Sequence, residues 1–214
     1  TPDGGFSGTD TFQYVVTDRN EGLAHYWKLD GNANDAVGGA GGTLINGPTT
    51  IEGYYGNALN FDGIDDYAQI ADIDYTNEFS LSFYFQADTN SGTGLQYFYS
   101  HNDESVFVAL VEDNYLIAGQ RNTLVTTIRD STESASGSQF FYDVSGIVGD
   151  GLWHSYTMTV TPGIGTRIYL DGALVRTLAR GGDPVNPTGD VYLGSKYDLD
   201  PTRFLDGKMD SVAI

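Results

Sequence analysis

From Gly151 to Gly194 the polar and apolar positions are spaced as in a β-meander. His154, Tyr156, Met158 and Val160 alternate with Ser155, Thr157 and Thr159, the period of two expected of a half-buried strand. Pro162, Gly163 and Gly165 then reverse the chain, Thr166–Leu170 rises again, and Asp171-Gly172 is a tight-turn signal before a return strand over Ala173–Leu178. The same reasoning predicts strands at Leu23–Leu29, Phe79–Gln86, Leu95–Ser100, Ser105–Leu110, Tyr115–Ala118, Thr123–Arg129 and Asp206–Ile214. Asp130–Gly149 reads as a polar, Ser/Gly-rich excursion. No amphipathic helical run stands out. A meander with one apolar face needs a second sheet to cover it, so the pattern predicts an all-β, two-sheet antiparallel sandwich.

Composition narrows the function classes. Hydrophobic residues at 40% supply a core, and 28 glycines with 15 tyrosines suit short strands joined by tight turns. No apolar run approaches the roughly 18 residues of a membrane span. No basic, apolar-cored leader opens the chain, as expected of a processed or excised piece. Cysteine is absent, so stability must come from core size or from metal. The 29 acidic and 10 basic residues give a formal charge of −19, which disfavours nucleic acid and anionic membranes as partners. The excess is almost entirely Asp, a turn residue by default and also a hard-oxygen ligand for Ca²⁺.

Asp30-Gly31-Asn32-Ala33-Asn34-Asp35 is dense in such oxygens. An EF-hand beginning at Asp30 would need Gly at its sixth position and Glu at its twelfth, where the chain has Asp35 and Gly41. The histidines 25, 101 and 154 lack metal spacing, and His154 beside Trp153 reads as packing. Tyr54, Tyr55, Tyr97 and Tyr197 are candidates for an aromatic sugar platform, although sheets are rich in tyrosine for their own reasons.

Several phrases carry a family resemblance. Trp153-His154, then Ile168-Tyr169-Leu170-Asp171-Gly172, then Tyr192-Leu193-Gly194 resemble the core of laminin G-like (concanavalin A-like) jelly-roll domains. Tyr26 to Asp35, with the Gly-rich Val37–Gly47, resembles the opening of the bacterial type. The string Ala58 to Tyr67, which includes Phe61-Asp62-Gly63 and Asp65-Asp66-Tyr67, is its most specific signature, and Asp206–Ile214 resembles its closing strand. The resemblance spans residues 23–214. Residues 1–22 resemble instead the trailing strand of the immunoglobulin- or cadherin-like repeats of large bacterial surface proteins.

The resemblance implies a non-catalytic, calcium-dependent lectin-like domain of a bacterial adhesin. Such a domain would be extracellular, a monomeric module of a longer chain, and would bind a glycan or glycoprotein on another cell or surface. It further implies a structural Ca²⁺ held by Asp30, the Asp62-Gly63 turn and Asp210, with Asn32 and Asp35 as auxiliaries. A second metal or glycan rim would involve Asn102, Asp103, Glu104 and Asp183. A structural spacer or an accessory domain of a glycoside hydrolase are the alternatives. Catalysis of the laminarinase type is not expected, because none of the six Glu (21, 52, 78, 104, 112, 133) lies two residues from another, and retaining glycosidases need paired carboxylates about 5–5.5 Å apart.

Overall fold

The computed structural model describes residues 22–73, 78–88, 94–102, 104–111, 121–129, 138–178 and 189–214. The N-terminal segment before Gly22, the expected strand at Tyr115–Ala118, and both Asp103 and Asp183 lie outside them. The described residues contain no helix and form two antiparallel sheets packed as a sandwich. One sheet runs, in spatial order, β13 (Ala173–Leu178), β12 (Gly165–Leu170), β11 (His154–Thr161), β6 (Phe79–Ala87), β15 (Asp206–Ala213), β4 (Asn57–Asp62) and β3 (Thr49–Glu52). The short β1 (Tyr26–Trp27) also pairs with β15. The other sheet runs β10 (Ser138–Asp143), β9 (Thr123–Ile128), β8 (Val106–Val111), β7 (Leu95–His101), β14 (Val191–Leu193), β5 (Tyr67–Ile70) and β2 (Gly42–Ile45). This is the jelly-roll sandwich expected from the sequence.

The core lies between the sheets, as the alternation requires. Along β11, His154, Tyr156, Met158 and Val160 are buried while the residues between them are half-exposed. Phe83 of β6 stacks on Phe98 at 5.6 Å and on Tyr156 at 5.0 Å, so aromatic rings from both sheets interlock at the centre. The Tyr156 hydroxyl is satisfied there by Thr126 at 2.7 Å, and burial pushes its pKa well up. The unbroken apolar run of β8 is buried on both faces. Val106, Val108 and Leu110 join the central core. Phe107, Ala109 and Val111 pack on the opposite face with Leu95, Tyr97 and Val125.

Three readings of the pattern need correction. Asp130–Gly149 is not polar throughout, because Phe140-Phe141-Tyr142 builds β10 within it. The Gly-rich Val37–Gly47 contains β2. The third correction concerns β15, whose plain alternation would put Val212 and Ile214 on the face of Asp210. Its pairing with β6 shifts register between Asp210 and Ala213, and Ser211 takes a positive φ of 55°. This bulge adds one residue, so Met209 and Val212 both enter the core, three positions apart. Asp210 points the other way, together with Lys208.

Replacing Phe83 by Ala should lower unfolding free energy by about 3–5 kcal/mol, the range for deleting a central aromatic ring. Urea denaturation would show a reduced midpoint with an unchanged m-value.

Candidate functional site

The chain between β3 and β4 is Gly53-Tyr54-Tyr55-Gly56, a four-residue turn closed by the Gly53 amide on the Gly56 carbonyl at 3.0 Å. Two carboxylates pin it from opposite flanks. Asp210, fully buried on β15, receives the Tyr55 amide on Oδ2 at 2.8 Å and the Ser211 hydroxyl on Oδ1 at 2.8 Å. Asp30, at the end of the first strand region, receives the Asn57 amide on Oδ1 at 2.7 Å. A Cβ on Gly53 would lie 2.7 Å from Asp210 Oδ2, and one on Gly56, at φ +65°, would lie 2.9 Å from Asp30 Oδ1. A Cβ on Gly53 would lie equally close, 2.7 Å, to the Asn57 carbonyl, so the tight turn itself requires these glycines and the acids crowd the same space.

Burial pushes the Asp210 pKa up, and the negative charge of Asp30 acts in the same direction. The Tyr55 and Tyr54 amides and the Ser211 hydroxyl oppose the rise only in part. The two carboxylates thus converge on one turn at an electrostatic cost. Beside them lies a cleft of about 210 Å³ lined by Tyr26, Lys28, Asp30, Tyr55, Gly56 and Ser211.

The turn displays its two tyrosines. Tyr54 and Tyr55 are 47% and 59% exposed, two of the exposed large apolar side chains among the described residues. Both rest on Tyr84 of β6. Tyr54 stacks on it at 4.1 Å and 12°, while Tyr55 meets it edge-on at 5.6 Å and meets Tyr54 edge-on at 4.7 Å. Of the other candidate aromatics, Tyr97 is buried, with its pKa pushed up to about 12 chiefly by that burial. Tyr197 is half-buried with Lys196 Nζ over its ring at 5.0 Å.

The remaining expected ligands fall elsewhere. Asp62 pairs across from Asp206, four residues along β15 from Asp210. At about 3.3 Å per residue this separates Asp62 and Gly63 from Asp210 by about 13 Å. The expected set is therefore split, and the turn that joins Asp30 to Asp210 is Gly53–Gly56, not Asp62-Gly63. Asp62 staples its own turn by accepting the Ile64 amide at 2.9 Å. Its oxygens lie within 4.8 Å of those of Asp65 and Asp66, and burial followed by the Asp62 charge pushes the Asp66 pKa up.

Asn32 closes a local turn by accepting the Asn34 amide at 2.9 Å. Asp35 is a loop organiser with its side chain fully covered. It accepts the Tyr26, Val37, Gly38 and Ala40 amides at 2.9–3.0 Å and the His25 ring at 2.7 Å. Burial works against its charge, but these donors outweigh it and hold its pKa well below the ordinary carboxylate range. Asn102 is exposed and bonds through its backbone to Asp190 at 3.0 Å. Glu104 is held between Lys196 and Arg129, so of the expected rim its carboxylate is already paired with cations. His154 does pack as expected, and both ring nitrogens are engaged, by Asp171 at 2.9 Å and Asp150 at 3.1 Å.

Sequence reading named Asp30 and Asp210 but missed the turn that unites them. The available signal was two adjacent tyrosines bracketed by glycines.

A family model described as the concanavalin A-like lectin/glucanases superfamily matches residues 62–214. Asp30 and the Gly53–Gly56 turn lie ahead of that match. No curated protein matches the chain significantly. Domain 4 of an extracellular arabinanase from Geobacillus stearothermophilus, solved with arabinotriose, superposes with a TM-score of 0.65 at 17% identity, covering 89% of this chain and 90% of that one. The binding domain of Paraclostridial Mosquitocidal Protein 1 gives 0.68 at 9% identity over 91% of this chain and 48% of that one. The botulinum neurotoxin serotype D binding domain gives 0.64 at 12% over 91% and 48%. The chain thus spans about half the length of the toxin binding domains. At these identities the likeness is one of fold.

Asp35→Ala should destabilise by about 2–3 kcal/mol, because several donors, most of them partly buried, lose their acceptor at once. A carboxylate depressed on folding stabilises above its ordinary value and loses that contribution as pH falls toward the folded value. The gap between wild type and variant in urea midpoint should therefore shrink as pH drops below 3.8. A gap constant across that range would contradict the assignment.

Proposed function

The chain belongs to the concanavalin A-like lectin/glucanases superfamily, and from that premise we propose that it is a non-catalytic, calcium-dependent carbohydrate-binding domain of a bacterial cell-surface adhesin. The observation that carries this reading is the Tyr54–Tyr55 pair, displayed on a turn pinned between Asp30 and Asp210. Paired aromatic rings beside a polar cleft suit a ligand with one apolar and one hydroxylated face, which describes a sugar ring.

The donor chemistry at the turn fits calcium. Two carboxylates are bonded to residues two apart there, Asp210 to Tyr55 and Asp30 to Asn57, and Ca²⁺ takes its oxygen ligands from carboxylates and carbonyls. Asp30 and Asp210 would hold the ion, and its charge would offset the cost of placing Asp210 beside a second acid. The Asp62 turn, with Gly63 and the adjacent acids, is an independent second position for a cation.

The non-catalytic reading is supported by the absence of alternating carboxylates among the six Glu and by the structural engagement of His25 and His154. No described helix is long and apolar enough to cross a membrane. A second reading, an accessory glycan-binding domain of a secreted glycoside hydrolase, is favoured by the resemblance to a domain of an extracellular arabinanase solved with arabinotriose.

Glycan-array binding in Ca²⁺ that disappears in EGTA is the expected result. Binding to no glycan in either buffer would leave a spacer module instead. For the metal, the readout is the calcium-induced rise in Tm, since a ligand of the native state alone stabilises it by mass action. Asp210→Asn should abolish that rise and Asp62→Asn should preserve it. The reverse pattern would move the ion to the Asp62 turn.

A further inference from the structure

We propose that the saccharide is uncharged and that its subsite is the Tyr54–Tyr55 surface together with the adjoining cleft, Tyr55 being the residue common to both. The inference rests on the glycan-binding reading above and adds to it a location and a ligand class.

The tyrosines are built for contact. Exposed aromatic side chains are costly unless something covers them, and a rigid pair offers large contact area at low cost in conformational entropy. Both rings are fixed from below by Tyr84, which is half-buried, and burial raises its pKa ahead of its hydrogen bond with Tyr55. Their backbone is fixed by Asp210. This turn is therefore not a floppy tip.

The cleft beside Tyr55 supplies the polar partners. Tyr26 and Ser211 share a hydroxyl–hydroxyl bond of 3.1 Å on its wall; because Ser211 gives its proton to Asp210, Tyr26 donates to Ser211 and both oxygens are left as acceptors. Lys28 adds an ammonium donor and Asp30 an acceptor on the same cleft. At about 210 Å³ the space is smaller than the roughly 300–1,000 Å³ typical of drug-sized ligands, which suits one ring of a chain and leaves the neighbouring ring over Tyr54. Lys28 and Asp30 balance one another on the cleft wall, so the wall adds no net attraction for an anion, and the chain's net charge of −19 disfavours uronic and sialic acids. A neutral pyranose or furanose chain meets no such penalty.

Binding of neutral trisaccharides (arabinotriose, cellotriose, galactotriose) to the full chain in Ca²⁺ should be compared by titration and saturation-transfer NMR with that of trigalacturonate and a sialylated trisaccharide. Wild type should bind at least one neutral trisaccharide and prefer it to both acidic ones. Tyr55→Ala should weaken that binding by about tenfold, the loss of one aromatic contact of roughly 1.4 kcal/mol. Tyr54→Ala should weaken it less, while Tyr55→Phe and Tyr197→Ala should retain it. The calcium-induced rise in Tm should persist in the tyrosine variants, showing that the fold and ion site are intact. Unchanged affinity in the Tyr54→Ala/Tyr55→Ala double variant, or a preference for the acidic sugars, would overturn the subsite while leaving glycan binding standing. Failure of wild type to bind any of the five would overturn both readings.

Discussion

A buried carboxylate on the outward side of the last strand is the constraint on which the candidate site depends. Asp210 has no solvent exposure, so its charge must be met by donors or by a cation. The donors it finds are the amides of the Gly53–Gly56 turn and the hydroxyl of Ser211. That choice fixes the turn, the turn fixes the tyrosines, and the crowding of the turn by its own backbone and by the acids calls for the glycines on either side. The bulge at Asp210–Ser211 belongs to the same arrangement. It lets Met209 and Val212 fill the core while the acid between them faces away.

The strands were legible where side-chain alternation is set by burial on one face. The pattern of β11 is reproduced residue by residue, as are the bounds of β13, and β12 differs only in beginning one residue earlier, at Gly165. Legibility failed where burial stops being one-sided or where pairing slips. The continuous apolar run of β8 shows its strand but not that both faces are covered. In β15 the bulge reverses the facing of every residue after Asp210, and nothing in the alternation marks it. At β10 the aromatic trio Phe140–Tyr142 was outweighed by the Ser/Gly-rich residues around it.

The site was half legible for a related reason. Asp30, Asp210 and the Asp62-Gly63 turn were all placed together through the family resemblance. Strand register decides otherwise, since Asp62 sits opposite Asp206 at the far end of the β4–β15 pair. Register is a property of two strands together, and neither strand carries it alone.

The acids differ in the reach of their hydrogen bonds. Asp62, Asp143, Asp150 and Asp200 each accept the amide two residues ahead, which is the ordinary turn-forming use of the side chain. That local use does not by itself call for a cation. Asp30 and Asp210 accept amides 27 and 155 residues away. An Asp that ties together distant strands is not explained by local turn propensity. When two such acids close on one glycine-bracketed turn, their mutual repulsion is a cost the local fold does not require. Asp171 and Asp190 also reach beyond their own loops, but Asp30 and Asp210 hold adjacent stretches of one short turn, and that convergence, rather than the density of acids, is what marks it.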